Sequence, residues 1–300
     1  MRINMLSEYL KNIYGRKVYK LSLSGGMTCP NRDGVCGEGG CIFCSEEGAG
    51  EFAEKFNSNI HLQIDNAKKH LKDREREFDG YIAYFQAFSN TYADTEYLRR
   101  LYTEVINRDD ILILSIATRP DCLEDDKIEL LSELNKIKPI WIELGLQTAS
   151  DDTARFIRRG YPLSLYLEKT RKLRLAGVTV ITHLILGLPN ETKIDMLKSA
   201  RLAGENSDGI KFHMLYVQKN TELFSFYKNN GIELLNLDEY VDILCDCIRY
   251  IPESVVIHRM TGDAPKDSLG APLWSKDKIK VLREIHNAFY DKDLTQGEYL

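Results

Sequence analysis

No stretch of the 300 residues approaches the run of about 18 apolar positions that a membrane-spanning helix requires. The opening Met1-Arg2-Ile3-Asn4-Met5 lacks the apolar core of a secretory signal, so a cytoplasmic protein with no membrane partner is expected. Positive charge is not in excess either. Lys and Arg total 40 against 45 Asp and Glu, a net charge of -5, so no broad basic field advertises nucleic acid and only a local patch would serve such a partner. Seven cysteines are too few for a disulfide scaffold in a chain of this length. Internal repeats and low-complexity linkers are missing too, so nothing marks a sharp domain boundary. What remains is ordinary globular composition, 43% hydrophobic and 28% charged, with ample material for a core.

Three of the cysteines are clustered. Cys29-Pro-Asn-Arg-Asp-Gly leads through Gly39-Gly40 to Cys41-Ile42-Phe43-Cys44, a C-x11-C-x2-C spacing among glycines. Thiolates are soft ligands that hold zinc or iron–sulfur clusters. A closed site of either kind needs four ligands, and this loop offers three, with Cys36 or His61 as the nearest extras. The spacing alone leaves three readings open: a zinc-stabilised binding module, an electron-transfer cluster, or a cluster with one iron free to bind another molecule. Cys36 reads best as a bystander. Cys122, Cys245 and Cys247 read as small buried residues.

Along the chain, helix and strand patterns alternate. A short helix through Leu6, Leu10 and Ile13 precedes a strand at Val18–Leu23, and the cysteine loop follows directly. An amphipathic helix is expected over Ile60–Phe78, with the charge run Lys68–Glu77 as its solvated face. Strands are expected at Tyr81–Phe85, Ile111–Ala117, Trp141–Leu146, Val178–Leu186 and Gly209–Leu215, separated by helical periodicity. Continuous apolar strands with helical crossovers favour a parallel sheet. A six-stranded partial barrel and an open doubly wound sheet both fit this order. Residues 1–16 form an approach segment, 17–215 the α/β core, and 216–300 a C-terminal extension packed on it, with helices near Leu237–Tyr250 and Ser275–Tyr290 and a strand near Val255–Met260.

Strand side chains alternate between faces, so parity sorts them. Ile142, Leu144 and Leu146 pack under helices, whereas Glu143, Gly145 and Gln147 point to the interior. The same argument places Gln86 and Arg119 at the carboxyl ends of the second and third strands, and Lys211 with His213 on one face of the sixth. These polar groups converge on the end of the sheet that carries the cysteines. His183, His213 and His258 are candidates for lining a substrate space.

The motifs, taken together, resemble the radical S-adenosylmethionine (SAM) enzymes. The Cys41-Ile42-Phe43-Cys44 ending is typical of them. The wide first gap is similar to that of the Elongator catalytic subunit and the bacterial YtqA/YhcC-type proteins. Tyr84-Phe85-Gln86-Ala87-Phe88-Ser89-Asn90, Thr118-Arg119-Pro120-Asp121, Glu143-Leu144-Gly145-Leu146-Gln147-Thr148, His183–Pro189, Lys211-Phe212-His213 and His258–Asp263 extend the resemblance over nearly the whole chain. It implies a partial (β/α)6 TIM-like barrel and a [4Fe–4S] cluster on Cys29, Cys41 and Cys44. It also implies SAM bound at the open iron and cleaved reductively to a 5′-deoxyadenosyl radical. Phe43, Gln86, Gln147, Arg159 and Gly187 would lie around SAM. Gln86-Ala87-Phe88 stands where the usual glycine-rich motif would be.

The substrate implied by the resemblance is the side chain of a tRNA wobble uridine, with flavodoxin or ferredoxin as reductant. Arg119, His183, Lys211 and His213 would line the substrate space. The competing enzyme reading is oxidation or decarboxylation of a small metabolite. The 300 residues show no counterpart of the acetyltransferase domain of the Elongator subunit, so that chemistry is not expected to carry over.

Overall fold

The computed structural model describes residues 3–48, 50–72 and 80–300. Phe78 and the distal part of the 68–77 charge run lie outside them. In chain order the elements are α1 (Leu6–Tyr14), β1 (Tyr19–Leu23), α2 (Ile60–Lys72), β2 (Tyr81–Phe85), α3 (Thr95–Ile106), β3 (Ile111–Thr118), α4 (Asp125–Asn135), β4 (Ile140–Gln147), α5 (Asp151–Phe156), α6 (Leu163–Leu175) and β5 (Thr179–Leu186). Then come α7 (Lys193–Asn206), β6 (Gly209–Met214), β7 (Val217–Gln218), α8 (Glu222–Asn230), α9 (Leu237–Arg249), β8 (Val256–Arg259), β9 (Leu269–Ala271) and α10 (Lys278–Asp291).

Local chemistry sets several of these boundaries. Asp94 caps α3 by accepting from the backbone N–H groups of Glu96 and Tyr97. Thr192 with Asp195, and Asn236 with Glu239, form reciprocal capping boxes at the starts of α7 and α9. Gly177, at φ 77°, takes the left-handed turn that ends α6 and leads into β5.

Strand order decides between the two sheet architectures. The seven-stranded sheet runs β1-β2-β3-β4-β5-β6-β8, parallel throughout. A doubly wound sheet reverses its order at a switch point. Here each strand adds beside its predecessor, and the sheet curls into a half-barrel of the radical SAM, TIM-like kind. The seventh strand comes from the segment after residue 216, where Val256 and Ile257 pair with Gly209 and Ile210. α9 packs against α7, and α10 against α9.

The interior is layered. Ile82, Ile113, Trp141 and Ile181 form an apolar floor, and Leu10 of α1 packs beneath it with Leu6 and Tyr9. The approach segment thus plugs the amino-terminal end of the half-barrel. Ile13, in the last turn of the helix, shares the face of Leu6 and Leu10 but does not join the plug; it is 54% exposed. Two residues further along the same four strands the floor gives way to Tyr84, Ser115, Glu143 and His183. Two residues further still, Gln86, Ala117 and Gly145 face the cavity. The outward residues, Leu144 and Phe212 among them, bury under the helices in the main core.

Candidate active site

The three cysteines sit in the long connection between β1 and α2, at the carboxyl end of the sheet. The loop is held mainly by its own backbone. Cys29 O accepts from Arg32 N at 2.8 Å, Asn31 O from Gly40 N at 2.8 Å, and Cys41 O from Cys44 N at 3.0 Å. Gly40 has φ 85°, and a side chain there would press on Arg32 at 3.0 Å. Ile42 ties the loop to the barrel, donating to Ile157 O and accepting from Leu223 N. Asn31 adds a side-chain staple, donating to Arg158 O at 2.7 Å.

Cys29, Cys41 and Cys44 open together onto one cavity of about 650 Å³ that runs down into the half-barrel. All three are free thiols. Burial, and then the neighbouring Cys44, push Cys41 up to about 12. Burial raises Cys44 as well, and the Arg32 guanidinium opposes it. Such thiols stay protonated unless a cation binds them, because coordination to a metal deprotonates a thiol outright. Asn31 Nδ2 stands 3.6 Å from Cys41 Sγ, where its N–H favours a thiolate. Among the described residues no three His, Cys, Asp or Glu groups close on a single ion. Three soft donors around the cavity mouth fit a multinuclear iron–sulfur group with one metal left to exogenous ligands. Cys36 is exposed, and its thiol lies 3.6 Å from Asp121 rather than in the cavity lining.

The polar residues anticipated from strand parity do converge here, in differing postures. Phe43, Gln86, Arg119, Gln147, Arg159, His183, Lys211 and His213 all line the cavity. Gln147 closes β4 at φ 58°, and its amide NH2 reaches the carbonyls of Leu146 at 3.0 Å and Gly145 at 3.2 Å. It lies over Gly145, where a Cβ would overlap it. Arg159 is only 1% exposed. It donates to Leu146 O and Thr148 O at 2.7 Å each, to Tyr161 O at 3.0 Å, and to Asp151. Its hydrogen bonds hold the turn that carries Gln147. Arg119 is engaged similarly, forked onto Asp121 and donating to Arg159 O at 2.9 Å. Gly187 stands apart from the cavity lining: its backbone N–H points at Met196 Sδ, and Leu235 packs over its Cα.

Sequence reasoning missed the roles of four residues. Tyr161 packs against both Arg119 and Arg159, whose guanidinium carbons stand 4.9 and 4.8 Å from its ring centre. Asn31 and Tyr216 also border the site. The largest omission is the hub role of Glu143. This buried carboxylate accepts from Lys20 at 2.9 Å and Ser115 at 2.6 Å on one oxygen, and from His183 at 2.8 Å and Lys211 on the other. The lysines hold it well below the usual carboxylate range, against its burial. Lys20 and Lys211 each lie 4.4 Å from the ring centre of Tyr84. His183 is pushed down to about 4, by burial first and then by Lys211.

The Radical SAM superfamily model matches residues 29–203, and the Radical_SAM C-terminal domain model matches 207–291. The Bacillus subtilis protein YtqA is 40% identical over 300 residues, covering 99% of this chain and 92% of YtqA. A tRNA uridine(34) acetyltransferase of Methanocaldococcus jannaschii is 26% identical over 201 residues, covering 60% of this chain and 37% of that protein. The solved structure of Methanocaldococcus infernus Elp3 superposes with a TM-score of 0.68 at 16% identity, over 93% of this chain and 64% of that one. No helix among the described residues is long and apolar enough to cross a membrane. With a cysteine-lined half-barrel of this order and these matches, the chain belongs to the radical SAM superfamily, whose enzymes use a [4Fe–4S] cluster and SAM.

Proposed function

We propose that Cys29, Cys41 and Cys44 hold the [4Fe–4S] cluster, and that the enzyme uses it with SAM to remodel the side chain at C5 of a tRNA wobble uridine. One observation carries the first half: the three thiols share a single cavity with a polar interior layer drawn from most of the strands. When bound, the cluster and SAM supply a carbon-centred radical able to abstract hydrogen from an unactivated carbon.

The chain's own residues do the rest. Asn31 and Arg32 offset charge on the thiolates. Phe43 and Gln86 border the SAM space. Gln147, whose amide rests on a β4 turn held by Arg159, presents the remaining edge. Gly187 acts from behind, shaping the turn after β5 rather than lining the space. Arg119, His183, Lys211 and His213 border the substrate. Burial of this layer keeps water and stray hydrogen donors away from the reacting carbon. An external reductant such as flavodoxin or ferredoxin supplies the electron.

The uridine assignment draws its support from similarity to the tRNA uridine(34) acetyltransferase of Methanocaldococcus jannaschii, which matches 60% of this chain. Nucleoside mass spectrometry of tRNA from a deletion strain tests it. Loss of one 5-substituted wobble uridine with accumulation of its precursor is expected. An unchanged set of wobble nucleosides would remove the tRNA assignment and leave the cluster assignment standing.

A further inference from the structure

A second, smaller cavity of about 150 Å³ adjoins the main one. Phe43, Ile185, Leu215 and Tyr216 give it apolar walls, which suit the faces of a flat aromatic base. Phe43, Cys44, Gln147 and Glu51 line both cavities, so the passage from the cysteines into the recess runs between them.

Glu51 is the one carboxylate in that passage, and the fold places it there by close approach of two loops. Phe88 N donates to Gly48 O at 3.0 Å. Gly50 lies on Ala87, where an added Cβ would come within 2.6 Å of the alanine methyl. Glu54 N donates to Ser22 O at 2.9 Å, which ties the same loop back to β1. The side chain is anchored on one oxygen only. Glu51 Oε1 accepts from Ser45 Oγ at 2.5 Å and from Gln218 Nε2 at 2.9 Å. Among the described residues Oε2 accepts no hydrogen bond, and no Lys, Arg or His pairs with the group. A carboxylate has room for about four donors, and this one receives two. Tyr216 registers its charge: burial first, and then Glu51, push that phenol up. A negative group brought to the thiolate side of a cavity is costly unless donors satisfy it, and the protein supplies only part of them.

We propose that Glu51 Oε2 accepts the ribose hydroxyls of SAM, with the adenine in the apolar recess. A ligand held by its amino-acid end at the open iron, with its base in the recess, carries its sugar through the passage. Hydroxyls of a ribose are neutral donors of the kind a fixed carboxylate takes. The proposal rests on the cluster and SAM reading above and adds to it a contact from the loop that follows the cysteines.

The test is anaerobic titration calorimetry on the cluster-loaded full chain without reductant. The ligands are SAM, its 2′-deoxy and 3′-deoxy analogues, and S-adenosylhomocysteine, which keeps the sugar and lacks the sulfonium charge. On wild-type protein, removing a hydroxyl that Glu51 holds should weaken binding about tenfold or more, the weight of one charge-assisted hydrogen bond. In Glu51→Ala, SAM should bind no better than the weaker deoxy analogue, and S-adenosylhomocysteine should lose affinity by the same factor as SAM. Ligands are compared on the same protein, so a general loss of stability in the variant cancels, and the wild-type series stands without it.

Equal binding of SAM and both deoxy analogues to wild-type protein would overturn the proposal. So would a hydroxyl preference that survives Glu51→Ala. A loss seen with SAM and absent with S-adenosylhomocysteine would assign Glu51 to the sulfonium charge and overturn the hydroxyl contact. Wild-type protein that holds about four irons and binds none of these ligands would remove the SAM reading itself, and the proposal with it.

Discussion

Lys20 and Glu143, 123 positions apart in the chain, meet at 2.9 Å across the interior of the half-barrel. The contact joins β1 to β4 through the middle of the polar layer. Glu143 is fully buried, and Lys20 is 23% exposed toward the cavity. Replacing Glu143 with Ala leaves two ammonium groups and His183 without their common acceptor. Denaturant unfolding of Glu143→Ala should show a loss of about 3–5 kcal/mol, the cost of breaking a buried ion pair from one side. A loss below about 1 kcal/mol would mean that water or relaxation satisfies the lysines.

Gly145 gives Gln147 its room. A methyl at position 145 overlaps the Gln147 amide, which is a flexible side-chain end and can swing aside. Gly145→Ala should therefore keep its fold, with an unchanged melting temperature within a few degrees, and bind SAM about tenfold more weakly, or ~1.4 kcal/mol. Unchanged SAM affinity would free Gln147 from the role assigned to it.

Stability should depend on pH through the buried histidines. His183 is pushed down to about 4, from an ordinary value of 6.5. Between those values the unfolded chain binds a proton that the folded chain does not. Its contribution, ~3 kcal/mol for a shift of that size, is fully present above pH 6.5 and is lost as pH falls toward 4. His213 and His258 are depressed in the same direction. Glu191 works the other way: burial raises it to about 7, so its contribution is lost as pH rises through that value. Three histidines outweigh one glutamate, and urea unfolding at pH 5.0 should show lower stability than at pH 7.0. His183→Gln should flatten the slope.

Much of this was legible in the sequence. The alternation Trp141-Ile142-Glu143-Leu144-Gly145 reports its two faces directly, because a strand buried on one side by helices must keep its apolar residues there. Glu143, Gly145 and Gln147 were placed inward on that basis. Other features are invisible to periodicity. Lys20 lies on a five-residue strand with mixed burial, and nothing local reveals that it reaches a carboxylate three strands away. α8 and the short β7–β9 pair have little pattern to read. Arg159 follows a helix of six residues, and only the fold shows that its guanidinium turns into backbone carbonyls. The choice between half-barrel and doubly wound sheet depended on strand order, which alternation of helices and strands does not encode.

The ligand assignment meets its sharpest test in anaerobic reconstitution followed by reduction in the presence of SAM. Wild-type protein should bind about four irons with matching sulfide and release 5′-deoxyadenosine only when reductant is added. Cys41→Ala should lose both properties, and Cys36→Ala should keep both. A colourless protein holding one tight zinc, or Cys41→Ala that still cleaves SAM, would contradict the account.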